Sequence, residues 1–178
     1  RYKDQITVLA RDVLTYDNAF SCGVAVNMSH DLAFAIPLSF FTQYRPLGNQ
    51  KLNAFRTDAE TKNACTTFGS LDLSLLWNGS IWSDIEEATR RCEALSMIIS
   101  RYNEIDTDRL HLAILSTILG LKVNVYATLG GKTAAVFNNS LKKFPNVAFI
   151  DEVRSNSENE GSADELLKYT RELSELRI

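Results

Sequence analysis

From Leu52 onward, short β-prone runs alternate with longer segments of helical period, and this alternation constrains the fold more than any other feature. The runs are Leu52 to Phe55, Leu71 to Trp77, Asn103 to Ile105 (a short strand or a tight link), Lys122 to Ala127 and Asn146 to Ile150. Between them, Ser83-Asp84-Ile85-Glu86 reads as a capping box opening a helix that ends near Tyr102, with Ile85, Ala88, Cys92, Leu95 and Ile98 on one stripe. A second helix runs to Gly120, which is placed to cap its C-terminus, and a third spans Thr133 to Leu141. Strands joined by helix-length crossovers pair in parallel. The predicted fold class is therefore α/β: a Rossmann-like parallel sheet with helices on both faces.

Upstream, Ile6 to Ala10 and Val24 to Met28 read as strands around a weakly helical Val13 to Phe20. His30-Asp31 reads as a turn that caps Leu32 to Ile36, stopped by Pro37. This divides the chain into 1–48, the end of an N-terminal domain with its connection, and 49–150, a Rossmann-like C-terminal domain. A polar, mobile linker is expected over 151–161, then an amphipathic helix over 162–178 capped by Ser162 to Glu165.

Ligands of such sheets bind beyond the carboxyl ends of the strands, where helices begin. Two polar clusters fall at that edge. Asp106-Thr107-Asp108-Arg109-Leu110-His111 runs straight into the apolar Leu112 to Leu119, a start that packing alone does not require. Thr107 or Asp106 can accept a helix N–H, and the helix N-terminus favours an anion. Arg109 adds a planar fork for phosphate or carboxylate, and His111 is a general acid or base. Residues two apart on a regular helix do not face the same way, so Arg109 and His111 share a ligand only if Arg109 precedes the first full turn. The competing reading is a capping cluster with a surface histidine. Gly130-Gly131-Lys132 lets backbone approach a ligand beside a cation, or is a plain turn. It is no P-loop, because the first glycine of that frame falls at Tyr126. Arg56 ends a strand and either reaches the same edge or pairs with Asp58 or Glu60.

The bulk composition removes several classes. A formal charge of -3 over 178 residues argues against nucleic acid as a partner. Cys22, Cys65 and Cys92 are odd in number and form no CxxC pair, so neither a disulfide framework nor a metal site is expected. No apolar run reaches membrane-spanning length. The sequons at Asn27, Asn78 and Asn138 read as chance. The chain starts at Arg1 in a charged segment and reads as a piece of a longer polypeptide.

Thr107-Asp108-Arg109-Leu110-His111, its aliphatic helix and the strand leading to Gly131-Lys132 resemble the polysaccharide pyruvyl transferase family. Ala10-Arg11-Asp12, His30 to Phe34 and Arg56 to Glu60 follow in family order, so the resemblance covers roughly residues 5 to 150. It implies a GT-B-like enzyme of two Rossmann-like halves, of which this chain matches the end of the first and most of the second. The implied reaction moves pyruvate from phosphoenolpyruvate to two hydroxyls of a sugar, in a polysaccharide or lipid-linked glycan precursor, forming a ketal. His111 is the implied general acid; Arg109, Arg56, Lys132, Asp108 and Gly131 form the implied donor-binding set. No cofactor is implied beyond the donor substrate. A bacterial source implies the cytoplasm, near the inner face of the membrane, and a fungal source the Golgi lumen. Thr128-Leu129-Gly130 departs from the family's more polar approach to the Gly-Lys turn. A nucleotide-sugar-dependent GT-B glycosyltransferase and a non-catalytic anion- or sugar-binding domain are the alternatives.

Overall fold

The computed structural model describes residues 5–62, 72–73 and 83–151. The expected linker, the terminal helix, Asn78, Cys65 and most of the Leu71 to Trp77 run lie outside the described residues. The described residues form two parallel sheets. In the first, β1 (Thr7–Ala10) pairs with β2 (Ala25–Met28) across α1 (Val13–Ser21). Asp12 begins α1 by accepting the Thr15 N–H at 2.8 Å. A 3-10 turn (Leu32–Ala35) and α2 (Leu38–Phe41) lead to the second sheet. The connection crosses the end of the next helix so closely that a Cβ on Gly48 would stand 1.6 Å from the Arg101 carbonyl oxygen.

The second sheet has the order β3 (Lys51–Ala54), β4 (Glu104–Thr107), β5 (Lys122–Tyr126), β6 (Val147–Ile150), all parallel. Its crossovers contain α3 (Ile85–Ile99), α4 (Leu110–Leu119) and α5 (Lys132–Val136), the last continuing as a π turn (Phe137–Leu141). The chain is thus α/β, a Rossmann-like parallel sheet flanked by helices. Asp84 caps α3, accepting from Glu86 and Glu87 at 2.9 and 3.1 Å, one residue after the Ser83 expected to do so. Gly120 ends α4 at φ +89°, as its position predicted.

Period-two alternation gives the second sheet two unlike faces. Leu52, Ile105, Val123 and Val147 stand in register on one side, followed by Ala54, Thr107, Val125 and Phe149. Leu95, Ile98 and Ile99 of α3, Leu112 to Ile114 of α4 and Leu141 pack into the same core. The other side holds Lys51, Glu104 and Lys122, then Asn53, Asp106 and Asn124. Lys51 bridges Glu104 and Asp106 at 3.0 and 2.8 Å, and Asn124 and the Tyr126 hydroxyl donate to Asp106 at 2.7 and 3.1 Å. That network holds Asp106 inside β4, so the helix-capping role expected for it is not met. No helix among the described residues is long and apolar enough to cross a membrane.

Candidate functional site at the carboxyl edges of the two sheets

The ends of β3 and β4 are stapled together. The Thr107 hydroxyl donates to the Ala54 carbonyl at 2.6 Å and accepts the Arg109 N–H at 3.0 Å. Asp108 Oδ1 accepts the Arg56 N–H at 2.8 Å, while its Oδ2 is buried with no hydrogen-bond partner among the described residues. Burial pushes the Asp108 carboxyl up, against the opposing pull of the Arg56 N–H and the Thr61 hydroxyl. Asp108, expected to contact ligand, sits beneath the Arg56 loop and fixes its backbone. Arg109 is the N-cap residue of α4, with extended backbone. It therefore precedes the first helical turn, the condition set for it to share a ligand with His111.

The three expected cations meet there, each with a carboxylate. Arg56 spans Asp58 at 2.7 and 2.9 Å and reaches Glu60 at 2.7 Å. Arg109 places Nε 3.1 Å from Asp72, pairs through Nη2 with the same carboxylate, and lies 3.3 Å from Asp58. Lys132 is more exposed, its Nζ 3.8 Å from Glu60. The pairs thus run Lys132, Glu60, Arg56, Asp58, Arg109, Asp72. The Arg56 guanidinium holds Asp58 below the usual carboxylate range, ahead of the smaller opposing effect of burial. Two backbone links align the loops: the Leu129 N–H donates to Glu60 at 3.0 Å, and Thr61 bridges Thr128. Gly131, at φ +66°, caps α5 and closes the turn through its N–H to the Thr128 carbonyl at 3.1 Å.

His111 turns the other way. Its side chain is 70% exposed and its Nε2 lies 3.6 Å from Asp31 Oδ2. Asp31 follows β2, caps the 3-10 turn by accepting the Ala33 N–H at 3.0 Å, and accepts from Arg11 Nη1 at 2.5 Å. Burial raises the Asp31 carboxyl, but the Ala33 N–H, Arg11 and His111 together outweigh it, and the group lies below its ordinary value. Arg11 follows β1, so the carboxyl edges of both sheets meet at His111. Asn139 fastens that junction by donating to the carbonyls of Arg11 and Ser29 at 3.0 and 2.7 Å. His30 lies apart, against Ser140 at 3.0 Å.

Sequence reasoning missed Asp72, which has no local signal, and the contact of Asp31 with His111, which spans 80 residues. Among the described residues no group of three His, Cys, Asp or Glu side chains could hold a metal ion. The side chains present offer guanidinium and ammonium groups to an anion and an imidazole to a proton.

Fold and edge together define an α/β protein whose polar cluster lies at the carboxyl ends of parallel strands. The chain is similar to the crystal structure of an uncharacterized protein from Klebsiella pneumoniae subsp. pneumoniae NTUH-K2044, with 31% identity and a TM-score of 0.68. The match covers 85% of this chain and 60% of that one, so this chain spans 60% of its neighbour's length. No protein-family model and no curated protein matches the sequence.

Proposed function

We propose that this chain carries the donor site of a pyruvyl transferase, which moves pyruvate from phosphoenolpyruvate to two hydroxyls of a glycan or lipid-linked sugar. The observation that supports this most is the convergence of Arg56, Arg109 and Lys132, from three separate strand ends, on one sheet edge, with His111 two residues beyond Arg109 at the start of α4. Phosphoenolpyruvate carries a phosphate and a carboxylate, which suit two guanidinium forks. In this scheme the donor takes over Arg56 and Arg109 from Asp58 and Glu60, while Asp72 stays on Arg109 as a buried counter-ion. His111 then protonates the methylene carbon, turning it into a methyl group and making the central carbon electrophilic. One sugar hydroxyl adds to that carbon, and the second displaces phosphate. One hydroxyl proton restores the imidazolium and the other leaves with the phosphate, so the sum is a ketal and hydrogen phosphate.

Calorimetric titration with phosphoenolpyruvate, beside uridine diphosphate, tests the reading. Saturable binding of phosphoenolpyruvate alone, lost in Arg56→Ala, is expected. Binding of the nucleotide alone favours a glycosyltransferase and overturns the pyruvyl reading.

A further inference from the structure

We propose that Asp31, anchored by Arg11, is the positioning residue for His111, so that the proton donor is set by a carboxylate from the opposite sheet. The proposal rests on the pyruvyl-transfer reading for the use of His111 and on geometry for the pairing. Asp31 is buried on its own side, with a side-chain exposure of 6%, yet its Oδ2 faces an imidazole that is 70% exposed. Its Oδ1 is committed to the Ala33 N–H, and Arg11 and His111 share Oδ2 at 2.5 and 3.6 Å. A carboxylate serving only as a turn cap needs neither partner. Arg11 and Ala33 fix the carboxylate before the histidine meets it, so the arrangement is preorganised and not the chance meeting of two long side chains.

The chemical consequence concerns which nitrogen works. With Nε2 turned to Asp31, the Nε2 proton stays on the ring facing the carboxylate, and Nδ1 is the atom free to deliver a proton. After delivery the neutral ring keeps its Nε2–H toward Asp31, the tautomer that the carboxylate favours. A buried acid that orients a histidine through one nitrogen while the other does the chemistry follows the logic of an acid-oriented histidine base. The acid here comes from a different sheet than the histidine, so a correct approach of the two halves is built into the proton donor itself.

The test is reciprocal. The carboxyl carbon of Asp31 is titrated by carbon-13 NMR in the wild-type chain, in His111→Gln and in Arg11→Ala. His111 is one of the groups that lower Asp31, so its removal should move the Asp31 titration upward, and a pure turn cap would not respond. An unchanged Asp31 titration in His111→Gln overturns the proposal. A second readout avoids acid altogether: carbon-13 relaxation of the two histidine rings at neutral pH, in wild type and in Asp31→Asn. Asparagine caps turns as aspartate does, so the fold is preserved. The His111 ring should become more mobile in Asp31→Asn, and the His30 ring should not; equal mobility of His111 in both proteins also overturns the pairing. Phosphoenolpyruvate binding, measured separately, decides the underlying reading. Coupling without binding removes the pyruvyl assignment and keeps the pair, whereas binding without coupling does the reverse.

Discussion

Arg109 and His111 leave the same end of α4 and enter opposite surroundings. Arg109 is drawn under the edge of its own sheet, against the almost fully buried Asp72 and the loop carboxylate Asp58. His111 stands in solvent and meets one carboxylate, supplied by the other sheet. The first environment fixes a charge in place; the second leaves a proton free to move. A strand end that turns directly into a helix separates these tasks within three residues, because the N-cap and the second helical position project in different directions.

The comparison breaks most readily through stability. Arg109→Ala takes the guanidinium away from the buried Asp72 carboxylate, which keeps the Thr57 N–H and hydroxyl, and should cost about 3 kcal/mol, the usual order for removing one partner of a buried pair. His111→Ala, at an exposed position, should stay within about 0.5 kcal/mol of wild type while abolishing the proposed transfer. Urea denaturation of both variants checks this, and equal losses would mean that the two residues are not differently embedded.

A smaller effect sharpens the same contrast through pH. Burial raises Asp108 in the folded chain, so the native state holds a proton that the unfolded chain releases. Its contribution is present at low pH and is lost as pH rises through the window above the ordinary aspartate value of about 4. Asp31, Asp58 and Glu104 are lowered, so their contributions are present above that range and vanish as pH falls. Wild type carries both trends. In Asp108→Asn only the second remains, so the loss of melting temperature that wild type shows as pH rises above about 4 should disappear. An unchanged slope would show that Asp108 does not hold its proton within the fold.

Much of the fold was legible because helical and strand periods alternate so plainly after Leu52. Cap positions were less so. Asp106 looked like part of the α4 start because the polar run is continuous, but pairing with β3 and β5 extends β4 through Thr107. The polar face of the sheet was written in the sequence all along. Lys51-Leu52-Asn53-Ala54, Glu104-Ile105-Asp106-Thr107 and Lys122-Val123-Asn124-Val125 share one alternation, unusual for a parallel sheet, whose strands tend to be apolar throughout. At the site, the chain named the cations but only some of their partners. Asp58 and Glu60 were visible as near neighbours of Arg56, whereas Asp72 and Asp31 reach Arg109 and His111 only through tertiary approach.

The most direct measurement uses the fact that the chain holds two histidines. Phosphoenolpyruvate is added to the protein while the ring resonances of His111 and His30 are followed by NMR, with His111→Ala giving the assignment. Saturable movement of the His111 resonance, with His30 still, is the result predicted for a donor bound at the start of α4. No movement of either resonance at saturating donor, or equal movement of both, would contradict it.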